Sequence, residues 1–126
     1  MKTQKFYLCR RCGNLVGLLH EGGGTLVCCG EPMEELKANT VDASLEKHVP
    51  VAVRQGDTLH VTVGAVEHPM TAEHSIQWIY LQTDQGGSRH CLTPGQKPET
   101  VFALGGETPK AVYAYCNLHG LWEKEL

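Results

Sequence analysis

Thr58-Leu59-His60-Val61-Thr62-Val63 alternates polar and apolar side chains without a break. At a period of two, Leu59, Val61 and Val63 share one face of an extended chain, while His60 and Thr62 share the other. The stretch predicts a β-strand with one buried face, and it turns His60 toward solvent. Outward from it the same grammar recurs. Ile76-Gln77-Trp78-Ile79-Tyr80-Leu81 is apolar on both faces and reads as a central strand, while Thr100-Val101-Phe102-Ala103-Leu104 and Ala111-Val112-Tyr113-Ala114-Tyr115-Cys116 read as two more. A β-branched run, Val49-Pro50-Val51-Ala52-Val53, precedes the first strand. Turn signals fall between them at Gln55-Gly56-Asp57, Asp84-Gln85-Gly86-Gly87, Thr93-Pro94-Gly95 and Gly105-Gly106. Short strands at this spacing, with no long helical pattern, predict a mainly β chain built as a sandwich or barrel.

The totals narrow the class. A chain of 126 residues suits one domain with a smaller appendage, and 41% hydrophobic residues suffice for a core. A net charge of −3 argues against a nucleic-acid binder, which carries a basic face. No apolar run approaches the roughly 18 residues that a membrane span requires. The stretch Met1-Lys2-Thr3-Gln4-Lys5-Phe6-Tyr7-Leu8 has no apolar core of a signal peptide, so a cytoplasmic location is expected. Six cysteines and seven histidines in such a chain read as metal ligands before they read as cross-links.

Residues 1–37 form the expected appendage and 38–126 the main domain, with polar residues 34–45 as connecting material. The first unit holds a Cys-x-x-Cys knuckle, Cys9-Arg10-Arg11-Cys12-Gly13, and a second pair in Cys28-Cys29-Gly30 after the turn Glu21-Gly22-Gly23-Gly24-Thr25. So short a unit cannot bury enough apolar area to fold alone, and a metal held by four thiolates would staple it. Zinc and iron both accept that donor set. The adjacent Cys28-Cys29 should pull the site away from regular tetrahedral angles.

In the main domain, His48 stands at the start of a strand, and His68 and His74 lie in the loop Glu67-His68-Pro69-Met70-Thr71-Ala72-Glu73-His74. Pro69 argues against one continuous helix across that loop. Cys116 and His119, in Cys116-Asn117-Leu118-His119-Gly120, close another strand. Cys116 continues the row Val112, Ala114 and is expected to be buried. Four imidazoles and a thiolate exceed a structural zinc site, which closes at four ligands. A six-coordinate iron would keep one position open, and a thiolate opposite that position pushes electron density toward it.

The first unit resembles desulforedoxin through Cys9-x-x-Cys12 and Glu21-Gly-Gly-Gly-Thr-Leu-Val-Cys-Cys-Gly30. That resemblance implies a distorted rubredoxin-like iron centre ligated by Cys9, Cys12, Cys28 and Cys29. The chain as a whole resembles the desulfoferrodoxins, the two-iron superoxide reductases. The matching motifs are Glu46-Lys47-His48-Val49-Pro50-Val51, His68-Pro69-Met70 with His74, Ile76-x-Trp78-Ile79, and Cys116-Asn117-Leu118-His119-Gly120-x-Trp122. The resemblance implies an immunoglobulin-like β-sandwich carrying ferrous iron, with His48, His68, His74 and His119 equatorial and Cys116 axial. It implies one-electron reduction of superoxide to hydrogen peroxide, re-reduction by a donor such as rubredoxin, and a homodimer. Lys47 is expected to draw in the anion and position a water for protonation. The glutamate matching Glu46 can take the sixth position of the ferric ion.

The chain departs from the family's commoner pattern at Glu73, where a lysine is frequent, and at Gln77, where a glutamate is frequent. Asn117 is expected to orient the thiolate. Cys91 reads as a buried strand residue, and His20 and His90 as surface residues. A non-catalytic iron electron carrier is the alternative function. A blue copper site would need an axial methionine, and no methionine follows His119.

Overall fold

The structure, a computed structural model, describes residues 3–40 and 45–126, except for the side chain of Glu46. The chain divides into two compact units, Met1–Lys37 and Ala38–Leu126.

The first unit is a three-stranded antiparallel sheet with a small hairpin. Strand β1 (Lys5–Leu8) lies between β2 (Leu15–Leu18) and β5 (Glu34–Glu35), and β3 (Val27–Cys28) pairs with β4 (Glu31–Pro32). Residues 34 and 35, read from sequence as connecting material, are therefore strand. They complete the edge beside Tyr7 and Leu8. Phe6, Leu8 and Cys9 are the buried apolar residues of this unit. That is too little apolar area to offset the ordering of its chain, so the unit depends on something besides packing. Its surface ion pairs, Arg10–Glu34 and Arg11–Glu31 among them, are solvent-exposed and contribute little.

The second unit is a β-sandwich. One sheet runs β10-β7-β6, from β6 (Pro50–Gln55), β7 (Thr58–Val63) and β10 (Glu99–Ala103). The other runs β12-β11-β8-β9, from β8 (Ile76–Thr83), β9 (Gly87–Cys91), β11 (Pro109–Cys116) and β12 (Gly120–Glu125). All of these pairings are antiparallel. Three strands facing four is the division of an immunoglobulin constant-type domain. The core forms between the sheets from Leu59, Val61 and Val63 of β7, Phe102 of β10, Ile76, Ile79 and Leu81 of β8, and Val112, Ala114 and Cys116 of β11. The alternation that opened the sequence reading holds: Leu59, Val61 and Val63 are buried, and His60 is exposed.

Three departures from the sequence pattern have physical reasons. The segment before β6 is a single helical turn, α1 (Leu45–His48), closed by a hydrogen bond from the Val49 N–H to the Leu45 carbonyl. Strand β9 is exposed along its length, and in β12 the buried Leu121 and Trp122 are adjacent and followed by charged residues, so neither shows the apolar alternation of a half-buried strand. On β8, Tyr115 of β11 faces Trp78 but Cys116 faces Ile76, so Gln77 is an extra residue, a β-bulge. The bulge explains how Ile76 and Ile79, three apart, both point into the core. The opposite face of this sheet is covered by Trp78 stacked on Tyr115 at 5.6 Å and by Tyr80 against Tyr113. Gly87 lets β9 approach Tyr80: a Cβ there would collide with the tyrosine hydroxyl.

Ile79 is fully buried at the centre of this core. Ile79→Ala should lower the unfolding free energy of the second unit by about 2–5 kcal/mol in denaturant titration. A loss below about 1 kcal/mol would mean that the sheets close over the cavity.

Candidate metal centres

The four sulfurs of Cys9, Cys12, Cys28 and Cys29 lie within 4.8 Å of one another. The first arm is the Cys9–Cys12 knuckle, closed by the Gly13 N–H on the Cys9 carbonyl and by the Cys9 N–H on the Asn14 carbonyl. The second arm is the β3–β4 hairpin, whose two turn residues, Cys29 (φ 52°) and Gly30 (φ 76°), both have positive φ. That is the signature of a type I′ turn, which glycine or asparagine usually occupies. A cysteine held there is uncommon and is retained where its side chain has a task. The turn swings the Cys29 sulfur to the same side as that of Cys28.

None of the cysteines is in a disulfide. The Cys12 and Cys28 sulfurs are 3.6 Å apart, close to the roughly 3.8 Å that four metal–sulfur bonds of about 2.3 Å impose at tetrahedral angles. Backbone N–H groups of Cys12 and Arg11 pull the Cys9 thiol down to about 7. The crowding of neighbouring thiols pushes Cys29 up to about 12 and raises Cys28 as well. The Cys9 thiolate forms readily, whereas those of Cys28 and Cys29 need a cation beside them. Asn14 adds N–H donors toward the Cys12 and Cys28 sulfurs at 3.4 and 3.7 Å. The donor set fits a four-coordinate metal that accepts thiolates.

The second cluster is built at one end of the sandwich. His48 ends the helical turn α1, His68 and His74 come from the loop between β7 and β8, Cys116 ends β11, and His119 sits in the turn to β12. Ligand atoms of His48, His68, His74 and Cys116 lie within 4.8 Å of one another. His119 joins them, with Nδ1 3.0 Å from His48 Nε2 and 3.9 Å from Cys116 Sγ.

The imidazoles form a square. Neighbouring rings, His48–His68, His68–His74, His74–His119 and His119–His48, have centroids 4.6, 4.7, 5.0 and 4.9 Å apart and meet edge to face at 80–82°. His48 and His74 lie across the square, 6.3 Å apart and 29° from parallel. Nitrogens on neighbouring corners are 3.0 and 3.1 Å apart. Metal–nitrogen bonds of about 2.1 Å at right angles place neighbours about 3.0 Å apart.

Proton counting shows what the square lacks. His68 Nδ1–H donates to the Pro69 carbonyl at 2.7 Å, which leaves Nε2 a bare lone pair pointing inward. Burial, and then the other imidazoles, push the His68 pKa down to about 4 against that carbonyl's pull, so the ring is neutral. His74 Nε2 is buried without a hydrogen-bond partner, the one such side-chain atom among the described residues. Burial lowers the His74 pKa first, with smaller electrostatic contributions from His119 and Lys47. Burial raises the Cys116 thiol, opposed by the backbone N–H groups of His119 and Leu118. A proton-free Nε2 on His68 and a buried, partnerless Nε2 on His74 face the same centre as the other donors, and four nitrogens in a square plus one sulfur suit a metal with five or six ligands.

Surrounding groups lock the rings. Trp122 is fully buried, lies 4.9 Å from His48, and donates its indole N–H to the His119 carbonyl at 3.1 Å, so one side chain braces two corners. The sequence marked Trp122 only as part of a motif; its pairing opposite Ala114 on the inner face of the sheet is what brings it to the cluster. Asn117, expected to orient the thiolate, instead bonds the loop that bears His74: its Oδ1 accepts from the Ser75 N–H and its Nδ2 donates to the Glu73 carbonyl. Cys91, expected to be buried, is exposed at the end of the edge strand β9, where Arg89 Nη1 donates to its sulfur at 2.8 Å. An edge strand without a covering layer buries neither of its faces. His20 and His90 are exposed, as their settings suggested. The expected role of Glu46 falls on a side chain outside the described residues.

Comparison with known proteins agrees with both clusters. Residues 40–125 match the desulfoferrodoxin family, and residues 1–36 match the desulfoferrodoxin N-terminal domain. A desulfoferrodoxin from Syntrophotalea carbinolica is 53% identical over 119 residues, covering 94% of each chain. One from Nitratidesulfovibrio vulgaris is 47% identical over 121 residues, covering 96% of this chain and 95% of its own. The crystal structure of a superoxide reductase from Treponema pallidum superposes with a TM-score of 0.82 at 35% identity, covering 98% of this chain and all of its own.

With only Phe6, Leu8 and Cys9 buried among the described apolar residues of the first unit, that unit should depend on its metal. Stripping the metal with a chelator should erase amide-exchange protection at Phe6 and Leu8, while Ile79 and Val112 keep theirs. Protection at Phe6 that outlasts complete metal loss would mean that packing alone holds the unit.

Proposed function

The chain belongs to the desulfoferrodoxin family, and from that premise we propose how its residues reduce superoxide to hydrogen peroxide. The activity is that of a superoxide reductase: superoxide takes up one electron and two protons, and hydrogen peroxide leaves. An iron ion bound at the square would supply the electron. His48, His68, His74, His119 and Cys116 would hold it. The observation that carries this reading is the square itself, four imidazole nitrogens converging at metal-bonded spacing with a buried thiol beside them.

Each residue has a task that follows from its surroundings. Cys116 enters from the fully buried inner face of β11, so its thiolate is shielded from water and from oxidants. The N–H groups of Leu118 and His119 favour its ionised form against burial and so fit it for a cation. The Pro69 carbonyl fixes the His68 tautomer that leaves Nε2 free to ligate. Trp122 and the core beneath it close the site on the side away from solvent. Lys47, at the end of α1, brings a positive charge to the rim where an anionic substrate arrives. Its ammonium also holds a proton beside the reacting centre, where the product needs one. Glu46 would displace the product from the oxidised site.

Cys9, Cys12, Cys28 and Cys29 would hold the second iron, and an external one-electron donor such as a rubredoxin would return the catalytic ion to its ferrous state. Residues 1–37 and 38–126 would act as the two functional domains, and the protein would work as a homodimer in the cytoplasm, removing superoxide. Among the described residues no helix is long and apolar enough to cross a membrane.

Lys47→Ala should slow the second-order reaction with superoxide by roughly 10-fold at low salt and flatten its ionic-strength dependence, as read by pulse radiolysis. An unchanged rate constant and an unchanged salt slope would remove Lys47 from the mechanism.

A further inference from the structure

The corners of the square are held in different ways. His68 is fixed through its ring, by the bond from Nδ1 to the Pro69 carbonyl. His48 and His119 are braced by Trp122. His74 sits in a loop without a strand ladder, and hydrogen bonds to its backbone and to both of its neighbours hold it. Thr71 closes the turn: its N–H donates to the His74 carbonyl at 2.9 Å, and its Oγ1 accepts from the His74 N–H at 3.1 Å.

A second set of bonds comes from across the site. Asn117 lies between Cys116 and His119, on the segment that carries two of the donors. Its Oδ1 accepts from the Ser75 N–H at 2.9 Å, and its Nδ2 donates to the Glu73 carbonyl at 2.9 Å. Its own N–H donates to the Ser75 carbonyl at 3.2 Å. These three bonds bracket His74 from both sides in the chain. Only a side-chain amide offers a donor and an acceptor on one planar end, matched to a carbonyl on one side and an N–H on the other. An aspartate would set an oxygen against the Glu73 carbonyl.

We propose that Asn117 is a positioning residue for His74: it ties the histidine loop to the Cys116–His119 segment, so that the thiolate and the corner opposite His48 are set by one rigid unit. The inference rests on the reading of the square as the catalytic iron site. It also accounts for a buried Ser75 between a loop and a bulged strand. The backbone N–H of Ser75 finds its acceptor in Asn117, and a side chain without an oxygen would leave that N–H unsatisfied.

Three measurements on the full chain test it. In metal-free Asn117→Ala, the Ser75 amide should exchange roughly 10-fold faster or more, while the Leu81 amide in the middle of β8 is unchanged. With iron restored, ferrous affinity at the histidine site should fall roughly 10-fold or more, while the four-cysteine centre keeps its spectrum. The EPR spectrum of the ferric histidine site should change in rhombicity. Asn117→Asp, which keeps the bond to Ser75 and loses the one to Glu73, should fall between the wild type and Asn117→Ala; it decides the matter if the alanine variant does not fold. Ser75 exchange, iron affinity within two-fold and an EPR spectrum all unchanged in the variant that folds would overturn the proposal. A wild-type chain that holds iron only at the four-cysteine centre would instead sink the functional reading, and the Ser75 exchange arm would still decide whether Asn117 holds the loop.

Discussion

Five donor atoms meet at one end of the sandwich with too few protons among them. His68 Nε2 is stripped of its proton by the bond on the far side of its ring, His74 Nε2 is buried without a partner, and the Cys116 sulfur is buried in the apolar core. Water cannot satisfy such a cluster from inside, and the hydrogen bonds that His48, His68 and His119 can share leave His74 Nε2 without a partner. A cation can. The geometry of the surrounding fold, from the helical turn α1 to the bulge at Gln77, is arranged around that unmet demand.

The same logic governs the first unit at smaller scale. Four thiols on two short arms compete as they ionise: Cys9 is drawn low while Cys28 and Cys29 are pushed up. With so little buried apolar surface, the attraction of those thiolates for a metal takes the place of a hydrophobic core. The second unit has the reverse balance. Its core folds it, and the metal site uses the rigidity of the core, with Cys116 continuing the inward row Val112, Ala114. One half of the chain folds around its metal, while the other holds its metal on a prepared frame.

Rigidity at the second site comes from a few bonds outside the donor set. The Pro69 carbonyl, the Trp122 indole and the Asn117 amide each constrain a different corner, and each comes from within three residues of a donor. The Pro69 carbonyl and the Trp122 indole act on a ligand close by in the chain, whereas Asn117 reaches across to the loop that bears His74. Lys47 and His48 stand side by side in the last turn of α1.

The amino-acid sequence by itself determined the donors and the fold class. Alternation at Leu59, Val61 and Val63 carries the strand period, and cysteine and histidine at strand ends announce ligation, because both signals are local chemistry. The β-bulge at Gln77, the edge strands β9 and β12, the exposure of Cys91 and the direction of the Asn117 side chain were decided only by the tertiary structure. Each depends on which strand lies alongside, and that is settled by pairing between residues far apart in the chain. Glu73 and Gln77, read as altered charges, turn out to matter through backbone: one offers a carbonyl to Asn117, and the other is the extra residue of the bulge. A sequence lists side chains, whereas the square of imidazoles exists only once four of them, spread from His48 to His119, are brought to nitrogen separations of about 3 Å by the packing of two sheets.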